Sequence, residues 1–151
     1  MSNWHPELIP ITREEEYHTH YLGETNDKKL FFGYETFVFP KGYPSESDWQ
    51  KERIEYALVY LFDLNGNHIE TKYKCTGKTS DISSGYTSRL LDQLITELGD
   101  INFKDISVKP FKTVIDKIEF GLIADEESQM IELQPSSTIA FSEPWDGGYH
   151  T

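Results

Sequence analysis

Two histidines separated by one residue, His18-Thr19-His20, are the most metal-like feature of this sequence. Residues two apart on a β-strand project from the same face, and imidazole nitrogens suit zinc, copper or nickel. A closed site needs three or four ligands. His5, His68 and His150 are distant in the chain, and Cys75 has no second thiol beside it. His18 and His20 therefore stand as candidate ligands against a simpler reading, two histidines exposed on an edge strand. The run Asp63-Leu64-Asn65-Gly66-Asn67 carries oxygens where a calcium loop has its first, third and fifth ligands. It departs from that loop at Gly66, one place before Asn67, and at Lys74, which stands where the bidentate glutamate belongs. A hairpin turn accounts for the same residues.

Nothing in the chain reads as an activated nucleophile. Ser136, Ser137, Ser142 and Cys75 lack a glycine-flanked elbow, and no glycine-rich phosphate cradle occurs. Among 26 acidic residues, a pairing of Glu35 with Glu55 or Glu119 for acid and base work is what chance alone supplies. No catalytic residue and no cofactor is expected, and the residues lean away from an enzyme. The loop aromatics carry a different signal. Tyr43, Trp49, Trp145, Asp146 and Tyr149 lie among Pro, Gly and Asp, the composition of recognition surfaces, where Trp and Tyr add contact area at small entropic cost. Their bulk also suits Trp49 and Trp145 to plug the two ends of a core, and that is the expectation for these two.

The elements that must position these residues follow from periodicity. The segment 17–23 has strand composition, and 30–39 reads as a long strand with apolar residues in both alternating sets, so both of its faces are expected to be covered. Residues 40–48, with two prolines and a glycine, form the clearest loop. Segments 54–63 and 68–75 alternate about Asn65-Gly66 and predict a hairpin, with His68, Glu70, Lys72 and Lys74 on its solvent face. One helix is predicted over about 83–98, with Tyr86, Leu90, Leu91, Leu94, Ile95 and Leu98 recurring at helical spacing and Gly99 as its left-handed stop. Short strands follow over 106–108, 114–115, 118–124, 129–133 and 138–141. Short turns impose antiparallel pairing. The expected fold class is α+β: a single domain over 1–151, with a bent antiparallel sheet of about seven to nine strands and the one helix packed on it.

The net charge is −12, with 13 acidic residues in each half of the chain, and the basic residues are few and scattered. Binding a phosphate backbone requires clustered Lys and Arg, so nucleic acid is excluded as a partner. An evenly negative surface is repelled by anionic lipid and steers a basic protein. One cysteine forms no internal disulfide, and Trp4, His5 and Glu7 stand where a secretory leader would have a basic start and an apolar run. No stretch approaches ~18 consecutive apolar residues. Cytoplasmic residence without a membrane partner is expected.

Phe120-Gly121-Leu122, Leu133-Gln134-Pro135 and the closing run from Phe141-Ser142-Glu143-Pro144-Trp145 to Thr151 resemble the ending of a bacterial family of small acidic proteins, some labelled formate hydrogenlyase regulatory protein. The similarity extends through Ile9-Pro10-Ile11, Asp48-Trp49 and the turn from Phe62 to His68. The label implies transcriptional control. Given the charge, that control would run through another protein rather than through DNA. The expectation is a non-enzymatic cytoplasmic interaction or regulatory protein, with an immunity or antitoxin-like protein masking a basic toxin as its variant. The rival is a small-molecule binder or enzyme in which His18, His20, Tyr34 or Tyr60 line a pocket on the concave sheet face.

Overall fold

A strand that is apolar on both faces needs a layer on each side, and the fold supplies both layers to residues 30–34 but leaves Glu35 exposed and Phe37 half-buried on the helix-side face. The computed structural model describes residues 4–42, 48–136 and 139–151. Among the described residues, eleven strands and one α-helix follow in chain order: β1 (Ile9–Ile11), β2 (Tyr21–Thr25), β3 (Leu30–Val38), β4 (Ile54–Phe62), β5 (His68–Lys78), α1 (Tyr86–Thr96), β6 (Ile101–Phe103), β7 (Ile106–Val108), β8 (Phe111–Ile115), β9 (Ile118–Asp125), β10 (Met130–Gln134) and β11 (Ala140–Phe141). Among the described residues, no helix is long and apolar enough to cross a membrane.

All pairing is antiparallel, but the strands form three sheets rather than one bent sheet of seven to nine strands. The order is β5-β4-β3-β2-β6 in the largest, β11-β10-β9-β8 in the second, and β1-β7 in the third. The ladder breaks because Lys109-Pro110 redirects the chain after β7, and Phe111 then meets the large sheet by its side chain. Its ring stacks on His68 at 4.5 Å and sits edge-on to Tyr60 at 4.7 Å. One face of the large sheet packs Phe32, Leu58, Tyr60 and Phe62 against Phe120, Leu122, Ile131 and Phe141 of the second sheet. The other face packs Phe31, Ala57, Val59 and Leu61 under Leu91, Leu94 and Ile95 of α1. Each such large side chain, fully buried, contributes about 1.5–3 kcal/mol.

The helix is shorter than the 83–98 its periodicity suggests, and Tyr86, its first residue, is exposed rather than part of the buried stripe. Gly85 caps it at φ +80°, and Gly99 follows it in the left-handed conformation with its N–H bonded to the Thr96 carbonyl. The hairpin of β4 and β5 turns about Asp63, whose carboxylate accepts from the Asn65 and Asn67 amides. That carboxylate is occupied within its own turn, as a hairpin requires and a calcium loop does not. A bulge at Ile69 pairs Leu61 with Glu70 but Phe62 with His68. The extra residue reverses the alternation, so His68 leaves its expected solvent face, lies half-buried beside Phe62, and turns Ile69 outward.

The expected strand over 17–23 begins only at Tyr21. Residues 15–20 form turns because local bonds outbid the ladder there. The buried Thr19 hydroxyl accepts from the Glu14 amide at 2.9 Å and donates to the Thr12 carbonyl at 2.8 Å. The Arg13 side chain donates to the His20 carbonyl at 2.8 Å.

Gly66 sits at φ +88° with its carbonyl accepting from the Lys109 amide, and a Cβ there would press on Leu8 and on the backbone of Ser107 and Val108. Gly66→Ala is expected to lower the unfolding free energy by about 1–3 kcal/mol through backbone strain and contact. Urea denaturation with an unchanged m-value checks this, and an unaltered midpoint would show that the turn tip is not wedged between the sheets.

Candidate functional site

Where β2 ends, β3 loses a neighbour. β2 covers Leu30 to Gly33, whereas β4 runs beside β3 all the way to Val38. Among the described residues, β3 beyond Gly33 is paired on one side only. One face of the stretch is buried and the other meets water: Tyr34, Thr36 and Val38 are buried on the core side, while Glu35 is exposed and Phe37 half-exposed.

Three depressions that share lining residues adjoin this stretch. The largest, about 430 Å³, joins Tyr34 and Glu35 to Glu15, Glu16, Tyr17, His18 and His20 of the turn that leads into β2. A second, about 120 Å³, shares Glu35 and lies on the sheet face over the paired side of β3, with Thr36, Phe37, Arg53 and Glu55 on its wall. A third, about 230 Å³, shares Phe37 and reaches Pro40, Ile118 and Ser136. Beneath the rim, the Tyr34 hydroxyl donates to the Gln134 carbonyl at 3.3 Å and the Thr36 hydroxyl to Ser136 at 2.8 Å, fixing the end of β10 against the core side of β3.

Charge along the rim is unevenly satisfied. Glu15 and Glu16 are exposed and make no hydrogen bond or ion pair among the described residues, and Glu35 holds only the Ser88 hydroxyl at 2.8 Å. Glu55 is fully engaged. Its carboxylate accepts from Thr87 and Thr79, each at 2.7 Å, and from Arg53 at 3.1 Å, and Thr76 bonds both the Glu55 carbonyl and Thr87. Burial alone would raise the Glu55 pKa, but these three donors outweigh it and hold the group below its usual value. This cluster ties the first turn of α1 to β4 and β5.

The sequence-derived candidates divide by position. His18 and His20 lie in the turn rather than on a strand, so the premise that they share a strand face does not hold. His20 is bonded through Nδ1 to the Tyr17 carbonyl, and His18 lies 4.5 Å from the Tyr17 ring. Among the described residues, no group of three or more His, Cys, Asp or Glu is placed to hold a metal. Tyr34 does border the large depression, in company with both histidines. Tyr60 does not: it is wholly buried, because the second sheet fills the concave face on which a pocket was expected. Glu119 pairs with Lys112 on the second sheet, away from Glu35 and Glu55.

Tyr149 adjoins the large depression through Tyr17, whose ring stacks on it at 6.0 Å. Burial, then the Glu14 carboxylate, push its hydroxyl up to about 12. Trp49 stands at the other end, 38% exposed, with the Arg53 guanidinium 4.7 Å over its ring and 4.8 Å from that of Phe37. Trp145 is half-buried against Trp4 and the main core, while Trp49 closes no core. Asp146 is exposed and accepts from the Gly148 amide. Tyr43 lies outside the described residues.

One pair went unnoticed in the sequence. Ser142 Oγ and His150 Nε2 lie 2.9 Å apart because Ala140 bridges His150 across the chain end. Among the described residues no carboxylate bonds the other ring nitrogen, so the pair lacks the orienting group that a nucleophile–base couple needs. The open rim was missed for another reason: its only sequence signal is Thr19, a small polar residue whose local bonds delay the start of β2 to Tyr21. No protein-family model, curated protein or solved structure matches this chain.

Glu55→Gln is expected to destabilise the protein by about 1–3 kcal/mol at pH 7, since it weakens three bonds to a charged acceptor. The folded-state pKa is depressed, so this stabilisation is complete above the unfolded value, near 4.5, and is lost as pH falls through the folded value. Unfolding curves of wild type and variant should therefore converge in the acid range below about 4.5. A gap that persists unchanged through that range would show that the carboxylate charge contributes nothing.

Proposed function

We propose that this chain is a non-enzymatic binding protein of regulatory character that acts through contact with a basic protein partner. The observation that carries this reading is the open rim of β3, where Glu15, Glu16 and Glu35 stand unneutralised between the aromatic side chains of Tyr17 and Phe37. Against a net charge of −12, such a rim attracts a positively charged surface and speeds its approach. The bacterial cytoplasm is the proposed setting, consistent with a single exposed cysteine. Control through another protein is also what the resemblance to small acidic bacterial proteins implies. An immunity or antitoxin-like role is the same chemistry with a basic toxin as partner.

A small-molecule reading draws on one observation, the depression of about 430 Å³ with His18, His20 and Tyr34 on its wall. Its size falls within the range of ligand sites. Its exposed carboxylates and shallow, rim-like form favour a macromolecule instead.

The test is affinity capture from a lysate of the producing cell at low salt, with wild type beside a Glu15→Gln, Glu16→Gln, Glu35→Gln variant. A specific protein retained by wild type, released by about 0.5 M salt and lost on the variant is the expected result, because exposed charge pairs are screened at that ionic strength. A partner bound equally by both proteins, or none at all, would contradict the proposal.

A further inference from the structure

We infer that the open edge of β3 receives an extended, Lys- or Arg-bearing segment of the partner as an added strand; the inference rests on the binding reading above and specifies how that binding occurs. An edge strand presents unpaired amides and carbonyls, and proteins ordinarily blunt such edges with lysines, bulges, or very short strands. Those devices are present at the other edges of this fold. The outer strand β5 carries Lys72, Lys74 and Lys78 and is bulged at Ile69 and Thr76. β8 carries Lys112, and β6, β1, β7 and β11 are two or three residues long. β3 from Tyr34 to Val38 has none of them: no lysine, no bulge in its pairing with β4, and a length of five residues.

The space beside it suits a strand. The large depression begins where β2 stops, next to Tyr34 and Glu35, so a segment entering there continues the line of β2 along the edge. Five residues at about 3.3 Å each span about 17 Å, enough for a short strand. In such a pairing the incoming residue opposite Glu35 projects from the same face as Glu35, and a Lys or Arg there meets its carboxylate. Glu15 and Glu16 flank the entrance and receive a second cation. The adjoining Phe37 gives an apolar residue two places further along a surface to cover. Main-chain bonds supply affinity, and the alternate side chains supply the preference for basic sequence. A basic segment is also the occupant that the lysine-bearing edge of β5 repels, which leaves β3 as its place.

The probe is a synthetic heptapeptide in which Lys alternates with Thr and Val, titrated at low salt into the isotopically labelled full chain, with a Glu-for-Lys peptide as control. The expected result is shifts and slowed exchange at backbone amides of residues 34–38 with the Lys peptide only. Binding should be roughly tenfold weaker in the Glu15→Gln, Glu16→Gln, Glu35→Gln variant, the loss of two or three exposed ion pairs. An unchanged circular-dichroism spectrum and melting midpoint establish that the variant is folded. Binding of the Lys peptide with perturbation confined to another edge, such as β5, overturns strand addition at β3 and leaves the proposed function in place. Equal binding of the Lys and Glu peptides overturns the charge preference. No peptide binding while lysate capture still recovers a rim-dependent partner overturns the extended-segment inference alone, and failure of both experiments removes the two together.

Discussion

The structure depends on one constraint: β3 must be buried along the whole of its core face, and it can be paired on both sides over only part of its length. Phe31 and its neighbours lie under α1, while Phe32 and Tyr34 face the second sheet. Sheet-on-sheet packing fixes the strand so firmly that its second half stays extended after β2 has turned away. Rigidity without a partner strand is an unusual combination, since a free edge ordinarily frays or is guarded. Here the Glu55 cluster and the Thr36–Ser136 bond hold the flanking elements in place and leave the rim preformed.

Much of the fold was legible because local signals agreed with the tertiary outcome. Asn65-Gly66 between two alternating runs placed the hairpin, and Leu91, Leu94 and Ile95 placed the buried stripe of the helix. Double-faced apolarity predicted cover on both sides of β3, which holds from Leu30 to Tyr34; beyond that only the face of Tyr34, Thr36 and Val38 is buried, while Glu35 is exposed and Phe37 half-buried. Three features were not legible. The bulge at Ile69 inserts one residue into a ladder, which no alternation pattern announces in advance, and it moved His68 from solvent to the side of Phe111. The turn at 15–20 depends on a single hydroxyl, that of Thr19, bonding to Thr12 and Glu14 in preference to the strand that the composition favours. The division into three sheets depends on packing between layers, where Phe111, paired with Leu122 in its own sheet, stacks on His68 of the large one, an arrangement set by the whole core.

The same reasoning explains how the candidate residues fared. The spacing of His18 and His20 suggests a pair on a strand, and the late start of β2 at Tyr21 puts them in the turn that borders the rim. Tyr34 and Tyr60 were grouped as pocket residues, but only Tyr34 reaches a depression, because the second sheet occupies the space in front of Tyr60. Tyr149 and Trp49, far apart in sequence, fall near opposite ends of the rim, whereas Trp145 covers the main core. Residue type indicated which side chains could contribute to recognition. Strand termination decided where they gather.

The most direct test of this account needs no partner. Native-state hydrogen exchange of the free protein reads each amide of β3 separately. If the edge is open, alternate amides between Tyr34 and Val38, those directed away from β4, exchange orders of magnitude faster than the amides of Ala57 to Leu61 in β4, which has a strand on both sides. Uniformly slow exchange from Tyr34 to Val38 would mean that the edge is already covered, and would contradict the central claim.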